Sequence, residues 1–236
     1  MTLSIIIPTL NEERYLGTLL NCLSRQTRQD FEVIIVDGTS QDTTVKVAQR
    51  YKNRLHLAIV VTRRGVAHQR NEGVRKARFS QLLFFDADCT IANDFIEKTL
   101  AYVKGKYTLA GAVVQFDNND WQHRLINEGY SQMCTFGRFT GGFLNGACIY
   151  TTKNVFAAIG GFDTSILVGE DHEFGIRARP HCRRGLLPLP VMTSARRFEQ
   201  VGPVRQVIQY LMMGLYIMVR GSIRKPHFTY RFGTHN

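Results

Sequence analysis

The sequence predicts an α/β protein with a mostly parallel central sheet, because short apolar runs alternate with amphipathic stretches along its first hundred residues. Runs of β-branched and aromatic residues predict strands at Leu3–Ile7, Phe31–Val36, Leu55–Val61 and Gln81–Phe85. The stretches between them predict helices at Glu12–Arg25, Asp42–Tyr51 and His68–Arg78. Uninterrupted apolar runs are typical of strands covered on both faces. We therefore expect a Rossmann-like sheet flanked by helices, with its ligand at the carboxyl ends of the strands.

The second half of the chain is less regular. Apolar and β-branched runs predict further strands at Thr108–Phe116 and Gly146–Thr151. Helical patterns lie at Trp121–Cys134, Asn154–Ile159 and Glu170–Arg179. From Pro203 to Arg220, apolar residues recur at helical spacing, which predicts an amphipathic C-terminal helix.

Positively charged residues outnumber acidic ones. The 236 residues include 30 Lys and Arg against 19 Asp and Glu, giving a net charge of +11. This balance favours an anionic partner, such as nucleic acid, a phosphorylated substrate or an anionic membrane surface, although a solvated basic surface has the same composition. Hydrophobic residues make up 44% of the sequence, which argues against disorder.

Targeting features are not found in the sequence, so we expect a cytoplasmic protein. The N-terminal residues lack the basic segment and cleavage site of a signal peptide. No uninterrupted apolar run approaches the length of a membrane-spanning helix. The cysteines are scattered without a CxxC pair, which indicates reduced thiols, at Cys22, Cys89, Cys134, Cys148 and Cys182.

An acidic pair, Asp86 and Asp88, directly follows the apolar run Leu82–Phe85. Two carboxylates separated by one residue at a strand end can converge on a hard cation such as Mg²⁺ or Mn²⁺, which also binds substrate phosphates. The motif is common, and a solvated acidic loop is the alternative. Its position after a very apolar strand favours the metal site.

Polar residues also follow the other predicted strands. Asp37 ends the second strand, where it could accept a hydrogen bond from a base or ribose, or equally cap a strand-to-helix turn. Arg64 and Arg70 precede the fourth strand, and arginine there would bind phosphate oxygens or serve as surface charge. The motifs GxGxxG and GxxxxGK[ST] are lacking, which weighs against a dinucleotide oxidoreductase or a P-loop protein.

Four segments together resemble the family-two glycosyltransferases of GT-A fold: SIIIPTLNEE, EVIIVDGTSQDTT, LLFFDADC and GEDHEFGIRA. The resemblance covers roughly residues 3 to 200. It implies a UDP-sugar or GDP-sugar donor, a hydroxyl acceptor (a saccharide, a lipid-linked or a small molecule) and a Mn²⁺ or Mg²⁺ cofactor. Asp86 and Asp88 match the metal motif, with Asp88 the more direct ligand. Nucleotide-sugar binding is assigned to Pro8, Thr9, Glu12, Asp37, Arg64, Arg70, Asn71, Asp86, Ala87 and Arg196.

The segment beginning at Gly169 resembles the acceptor-side motif of the family. Inverting transfer needs a base on the face opposite the leaving diphosphate. By resemblance Asp171 is that general base and Glu170 assists it or binds the acceptor, although acids in a first helical turn are also a common structural choice. Many relatives supply a late histidine as a metal ligand, and the matching stretch Thr193–Phe198 has none. Arg196 or Arg197 would contact the diphosphate there, as in members with a SARRF sequence.

The resemblance divides the chain into a GT-A domain at residues 1–200 and a C-terminal helix with a basic tail at residues 201–236. Within the domain, residues 1–105 form the nucleotide-binding half and residues 106–200 the acceptor half. The apolar C-terminal helix beside basic residues fits peripheral contact with an anionic membrane. Packing of this helix on the core or on a second subunit is the alternative that we favour, because a methionine-rich stripe at helical spacing is usually buried.

Three rival functions remain open. Nucleotidyltransferases can have a similar parallel sheet, but the glycine-rich loop that usually follows their first strand is missing here after Leu3–Ile7. A basic nucleic-acid-binding module would explain the charge, yet the basic residues are dispersed and no RNA or DNA motif occurs, so we expect no nucleic-acid partner. A catalytically silent relative is disfavoured because the acids at the matched positions are intact.

Overall fold

The computed structural model describes residues 2–116, 144–194 and 222–224 and the single positions 128, 196, 202, 205, 208, 212 and 216. The strands of this part are β1 (Leu3–Thr9), β2 (Phe31–Asp37), β3 (Leu57–Val61), β4 (Gln81–Phe85), β5 (Cys89–Thr90), β6 (Leu109–Phe116), β7 (Cys148–Thr152) and β8 (Arg184–Thr193). Its helices are α1 (Leu16–Ser24), α2 (Thr44–Gln49), α3 (Val66–Lys76), α4 (Phe95–Val103), α5 (Lys153–Ala158) and α6 (Glu170–Ala178), with a 3-10 turn at Arg179–His181.

The described strands form one mostly parallel sheet in the order β3-β2-β1-β4-β7-β6-β8-β5. The pairs β1–β2, β1–β4 and β2–β3 are all parallel, which confirms the parallel sheet predicted for the first hundred residues. β7 runs antiparallel between β4 and β6, and β6 pairs parallel with β8. In the β1–β2 register Thr9 lies opposite Asp37, so both polar residues reach the same carboxyl edge.

Helices cover both faces of the sheet. Successive residues of a strand point to opposite faces, so residues of one strand pack against different helices. Ile5 and Ile7 of β1 belong to a core cluster with residues of α1, α2 and α4, whereas Ile6 belongs to a second cluster with residues of α3, α5 and α6. Helix α3 lies very close to β1: a Cβ on Gly73 would stand 2.3 Å from Ile6 Cγ2. This close packing delivers the residues of α3 to the strand ends.

Some predicted element boundaries were wrong. α1 begins at Leu16 rather than at Glu12, because Asn11 has a positive φ of 54° and the chain turns before the helix. Strands β5 and β8 were not predicted. The predicted helix Trp121–Cys134 lies outside the described residues, apart from position 128. Of the C-terminal helix, positions 205, 208, 212 and 216 are described and helical. The division into domains stays a prediction.

Two further features of the described residues concern membrane-spanning helices and cysteines. In the described part of the chain, no helix is long and apolar enough to cross a membrane. The four cysteines described there carry free thiols, as predicted, and Cys89 and Cys148 are buried. Burial raises the pKa of both buried thiols well above the ordinary value of a cysteine. Cys134 lies outside the described residues.

Candidate active site

The carboxyl ends of β1 and β2 are joined by the carboxylate of Asp37, which is 1% exposed. The Thr9 hydroxyl donates to Asp37 Oδ1 at 3.0 Å, and the Ser40 hydroxyl donates to the same oxygen at 2.6 Å. The Ser40 N–H donates to Asp37 Oδ2 at 2.8 Å. Thr9 and Asp37, both predicted site residues, are thus brought together, and the carboxylate fixes the loop after β2.

The loops after β1 and β2 hold two non-glycine residues with positive φ, Asn11 at 54° and Thr39 at 64°. This conformation is uncommon and is an outlier for a β-branched residue such as Thr39. Hydrogen bonds between the loops maintain it: the Asn11 N–H donates to Ser40 Oγ at 2.9 Å, and the Gln41 N–H donates to Asn11 Oδ1 at 2.8 Å. Strain of this kind costs about 1–3 kcal/mol per residue and clusters at binding sites.

Gln69 of α3 also ties these strand ends together, and it was not among the predicted site residues. Its side chain is 3% exposed, and its Nε2 donates to the carbonyls of Thr9 at 2.8 Å and Val36 at 2.7 Å. The signal in the sequence was a polar residue between Ala67 and Gly73 on the face of α3 that meets the sheet. Gln69 therefore sets the spacing of the two loops.

Arg70, the next residue of α3, is 1% exposed and lies between acids from distant parts of the chain. Its Nη2 donates to Asp86 Oδ1 at 3.0 Å and to the Gly146 carbonyl at 3.3 Å. Its Nη1 donates to Glu170 Oε1 at 2.7 Å. The guanidinium also lies 5.3 Å from the ring centre of Phe162.

The acidic pair that opens α6, Glu170 and Asp171, lies against Arg70 and the segment at Gly146. The Gly146 N–H donates to Asp171 Oδ2 at 2.7 Å, and the His172 N–H donates to Asp171 Oδ1 at 2.8 Å. Glu170 is 7% exposed; burial, and next the charge of Asp171, raise its pKa to about 7 against the opposing charge of Arg70. The structure therefore brings Glu170 and Asp171 to the carboxyl end of β4.

Arg196 joins the first and last parts of the site. Its Nη1 and Nη2 donate to the two carboxylate oxygens of Glu12 at 2.8 and 2.9 Å, and Nη2 lies 3.3 Å from Asp88 Oδ2. Its guanidinium stacks on Tyr15 at 4.8 Å, a contact that the sequence did not predict. Burial raises the pKa of Glu12, which outweighs the opposite effect of Arg196. The Thr193 hydroxyl donates to Asp88 Oδ1 at 3.3 Å.

The remaining predicted site residues lie in different settings. Pro8 is buried within β1, and Ala87 is buried between the two aspartates. Arg64 is exposed in the loop between β3 and α3. The amide of Asn71 bonds the backbone of Phe162: Nδ2 donates to its carbonyl at 2.8 Å, and Oδ1 accepts from its N–H at 2.9 Å. A direct contact of these residues with a donor stays a prediction.

The acids after β4 fit a hard divalent cation in chemistry but supply few ligands. Asp86 and Asp88 offer carboxylate oxygens, which Mg²⁺ and Mn²⁺ prefer, and the side chain of Asp86 is 40% exposed. Within the described ranges, no group of three or more His, Cys, Asp or Glu side chains is placed to hold a metal ion. Two carboxylates suffice where water and substrate phosphates complete the shell, as is usual for Mg²⁺.

The mostly parallel sheet, with an acidic pair after β4 and a second pair opening α6 beside it, is the arrangement expected of a GT-A domain. The sequence profile described as glycosyl transferase family 2 matches residues 4–158, well over half of the chain. The chain therefore belongs to glycosyl transferase family 2, which confirms the family that the sequence motifs predicted.

Two curated relatives illustrate the similarity. The poly(ribitol-phosphate) beta-N-acetylglucosaminyltransferase TarS of Staphylococcus aureus is 32% identical over 108 residues, covering 44% of this chain and 19% of TarS. An uncharacterized glycosyltransferase of Haemophilus influenzae is 30% identical over 182 residues, covering 73% of this chain and 60% of the relative. This chain thus spans from about a fifth to three fifths of the length of these relatives.

Solved structures confirm the GT-A fold. The structure of Staphylococcus aureus TarS in complex with UDP-GlcNAc gives a TM-score of 0.67 at 21% identity, covering 82% of this chain and 58% of that one. The mannosyltransferase PcManGT from Pyrobaculum calidifontis, in complex with GDP-Man and Mn²⁺, gives a TM-score of 0.69 at 18% identity. That match covers 93% of this chain and 70% of PcManGT.

Proposed function

We propose that this chain transfers a sugar from a UDP-sugar or GDP-sugar to a hydroxyl acceptor, with inversion at the anomeric carbon. The observation that supports this most directly is the placement of two acidic groups at one edge of the sheet. Asp86 and Asp88 follow β4, and Asp171 accepts a hydrogen bond from Gly146, whose carbonyl shares the Arg70 guanidinium with Asp86. Transfer needs both, since the diphosphate must be bound on one side and a proton accepted on the other. Membership of a glycosyltransferase family supports the same reaction.

Asp171 is the proposed general base. It accepts the proton of the acceptor hydroxyl, whose oxygen then attacks the anomeric carbon on the face opposite the diphosphate. The bond from that carbon to the diphosphate oxygen breaks, and the nucleoside diphosphate leaves with the bonding electrons. Two backbone N–H groups fix the orientation of the Asp171 carboxylate. Each carboxylate oxygen has two acceptor sites, so one on each remains for an acceptor hydroxyl.

The donor half of the site has the chemistry to hold a nucleotide diphosphate. Thr9, Glu12 and Asp37 are the proposed nucleoside-binding residues, and Arg196 is the proposed diphosphate contact. Asp86 and Asp88 would hold Mg²⁺ or Mn²⁺ as carboxylate ligands. A bound divalent cation would neutralise the charge that builds on the departing diphosphate. PcManGT, which has the same fold, is solved in complex with GDP-Man and Mn²⁺, a precedent for a nucleotide sugar and a divalent cation bound together.

A thermal-shift panel tests this function on the full chain. UDP, GDP and their common sugar conjugates are added with and without Mn²⁺, because a ligand at 100 times its Kd stabilises the folded state by about 2.7 kcal/mol. We expect one nucleotide series to raise Tm, and more so with Mn²⁺. The stabilising donor is then incubated with saccharide and lipid-linked hydroxyl acceptors, and the anomeric configuration of the product is read by NMR.

Three results would contradict the proposal. Retention of configuration would overturn inversion. Release of pyrophosphate from a nucleoside triphosphate and a sugar phosphate would mark a nucleotidyltransferase. Salt-sensitive binding of nucleic acid, with no stabilisation by any nucleotide sugar, would mark a basic binding module.

A further inference from the structure

The side chain of Arg70 is almost completely buried, with 1% of its surface exposed to solvent. Transfer of an isolated charge from water to the interior is unfavourable, so buried charges are paired or hydrogen-bonded. Two carboxylates and one carbonyl surround this guanidinium: those of Asp86, Glu170 and Gly146. The sequence alone suggested that Arg70 binds the diphosphate. Its burial and its protein partners indicate a different role.

The partners of Arg70 belong to the two sides of the proposed reaction. Asp86 follows β4 on the donor side, at 3.0 Å from Nη2, whereas Glu170 opens α6 on the acceptor side, at 2.7 Å from Nη1. Glu170 is the chain neighbour of the proposed base Asp171. The Gly146 carbonyl accepts from Arg70 while its N–H donates to Asp171. The guanidinium therefore connects to the base by two routes, one through α6 and one through Gly146.

We infer that Arg70 is a positioning residue that sets the distance between the donor-side aspartate and the proposed base. This inference rests on the proposed transferase function and deepens it. Arg70 acts through Asp86, Glu170 and Gly146 and does not bind the diphosphate itself. The planar fork of arginine spans two acids at once, which a lysine ammonium, a compact point charge, does not reproduce.

The space around the guanidinium supports this role. A Cβ on Gly146 would lie 2.7 Å from Arg70 Nη2 and 3.3 Å from Asp86 Oδ2. Gly146 therefore leaves room for the guanidinium of Arg70, which a side chain at this position would obstruct. The guanidinium also lies over the Phe162 ring, 5.3 Å from its centre. A side chain confined in this way holds its partners in one geometry.

The test compares Arg70→Lys with Arg75→Lys, a matched control on the same helix whose side chain is 68% exposed. The dissociation constant of the donor with Mn²⁺ is measured by calorimetry, and kcat by nucleotide release. We expect Arg70→Lys to lower kcat by about a hundredfold, since a displacement of about 1 Å costs that much, while donor affinity changes less than about threefold. Arg75→Lys should match the wild type in both.

Two outcomes would overturn the inference. Loss of donor affinity in parallel with kcat/KM would make Arg70 a phosphate-binding residue, and an unchanged kcat would deny it any role. A wild type that neither binds nor transfers a nucleotide sugar would instead contradict the proposed function, which keeps the two failures distinct.

A double-mutant cycle with Glu170→Gln keeps the inference testable if Arg70→Lys is poorly stable. Each single variant breaks the same bridge, so the double variant should lose about as much kcat as the worse single one. Losses that multiply would show that Arg70 and Glu170 act independently and would contradict the coupling. If Arg70→Lys does not fold, Glu170→Gln is measured alone, and a wild-type kcat in that variant would overturn the inference.

Discussion

The backbone N–H of Gly146 donates to Oδ2 of Asp171 at 2.7 Å, so the residues before β7 hold the proposed base directly. The same glycine accepts from Arg70 through its carbonyl at 3.3 Å. One peptide segment thus contacts both the buried arginine and the acid, and it offers no room for a side chain. Changes at Gly146 are therefore expected to affect turnover more than donor binding.

Gly146→Ala should lower the rate of transfer at least tenfold. The added methyl group would lie 2.7 Å from Arg70 Nη2, so Arg70 or the Gly146 segment must shift. A displacement of about 1 Å at the site costs up to about a hundredfold in rate, and the overpacking lowers stability by about 1–3 kcal/mol. Gly17→Ala is the control, because its methyl group would meet Val47 at an ordinary 3.6 Å. Steady-state kinetics and thermal melting of both variants check this. Equal kinetics in the two variants would contradict the role of Gly146.

Asp171→Asn should abolish transfer while donor binding persists. A general base contributes about 10²- to 10⁴-fold to a rate, and an amide cannot accept the proton. Both oxygens of Asp171 accept from backbone N–H groups, so the amide group of asparagine would also face one N–H. Asp94→Asn, at the N-terminus of α4, is the control, because Asp94 is partly exposed and pairs locally with Lys98 of the same helix. Full transfer activity in Asp171→Asn would refute the assignment of the base.

Asp88→Ala should remove the part of donor binding that depends on metal. Asp88 lies beside Arg196 at 3.3 Å and is the proposed direct ligand, so without it one carboxylate remains after β4. The measurement is the Tm shift caused by the donor, with and without Mn²⁺, in Asp88→Ala and in the control Asp94→Ala. Retention of the full Mn²⁺-dependent shift would assign the metal to other residues.

The stability of the fold should depend on pH through Glu170, whose pKa is raised to about 7 by burial and by the charge of Asp171. The folded chain then binds more protons here than the unfolded chain, in which the pKa is near 4.5. Stability from this group is therefore fully present at low pH and is lost as pH rises through about 7.

Glu170→Gln replaces the titrating carboxyl group with an amide that does not titrate. The unfolding free energy of this variant, relative to that of the wild type, should therefore increase as pH rises from about 5 to about 8. Urea unfolding at several pH values measures that difference. A difference independent of pH would show that Glu170 does not titrate in this range. Glu173→Gln, on the same helix and paired with Arg177, serves as the control.

The strands and the acids that follow them were predictable, and the contacts between distant segments were not. The runs before Asp37 and Asp86 are continuous and apolar, and strands of this kind place their carboxyl ends at one edge. β8 escaped prediction because Pro188 and Pro190 are poor strand residues; the β6–β8 register shifts at that place.

The pairing of side chains was not predictable from local patterns. Arg70 meets Glu170 across 100 residues, and Arg196 meets Glu12 across 184. No local pattern encodes such a partner, because both residue types are common on solvated surfaces. The sequence therefore predicted Arg70 to be a site residue without indicating that it is buried between two acids.

Asn71→Ala distinguishes donor binding from loop packing at a residue that the sequence placed in the donor site. Both polar atoms of its amide bond the Phe162 backbone, at 2.8 and 2.9 Å. Their loss would leave partly buried groups unpaired at a cost of about 1–3 kcal/mol. We therefore expect a lower Tm and a donor KM within about twofold of the wild type, a change of less than ~0.5 kcal/mol. Asn154→Ala, exposed on α5, should change neither quantity. A raised donor KM at unchanged Tm would return Asn71 to the donor site.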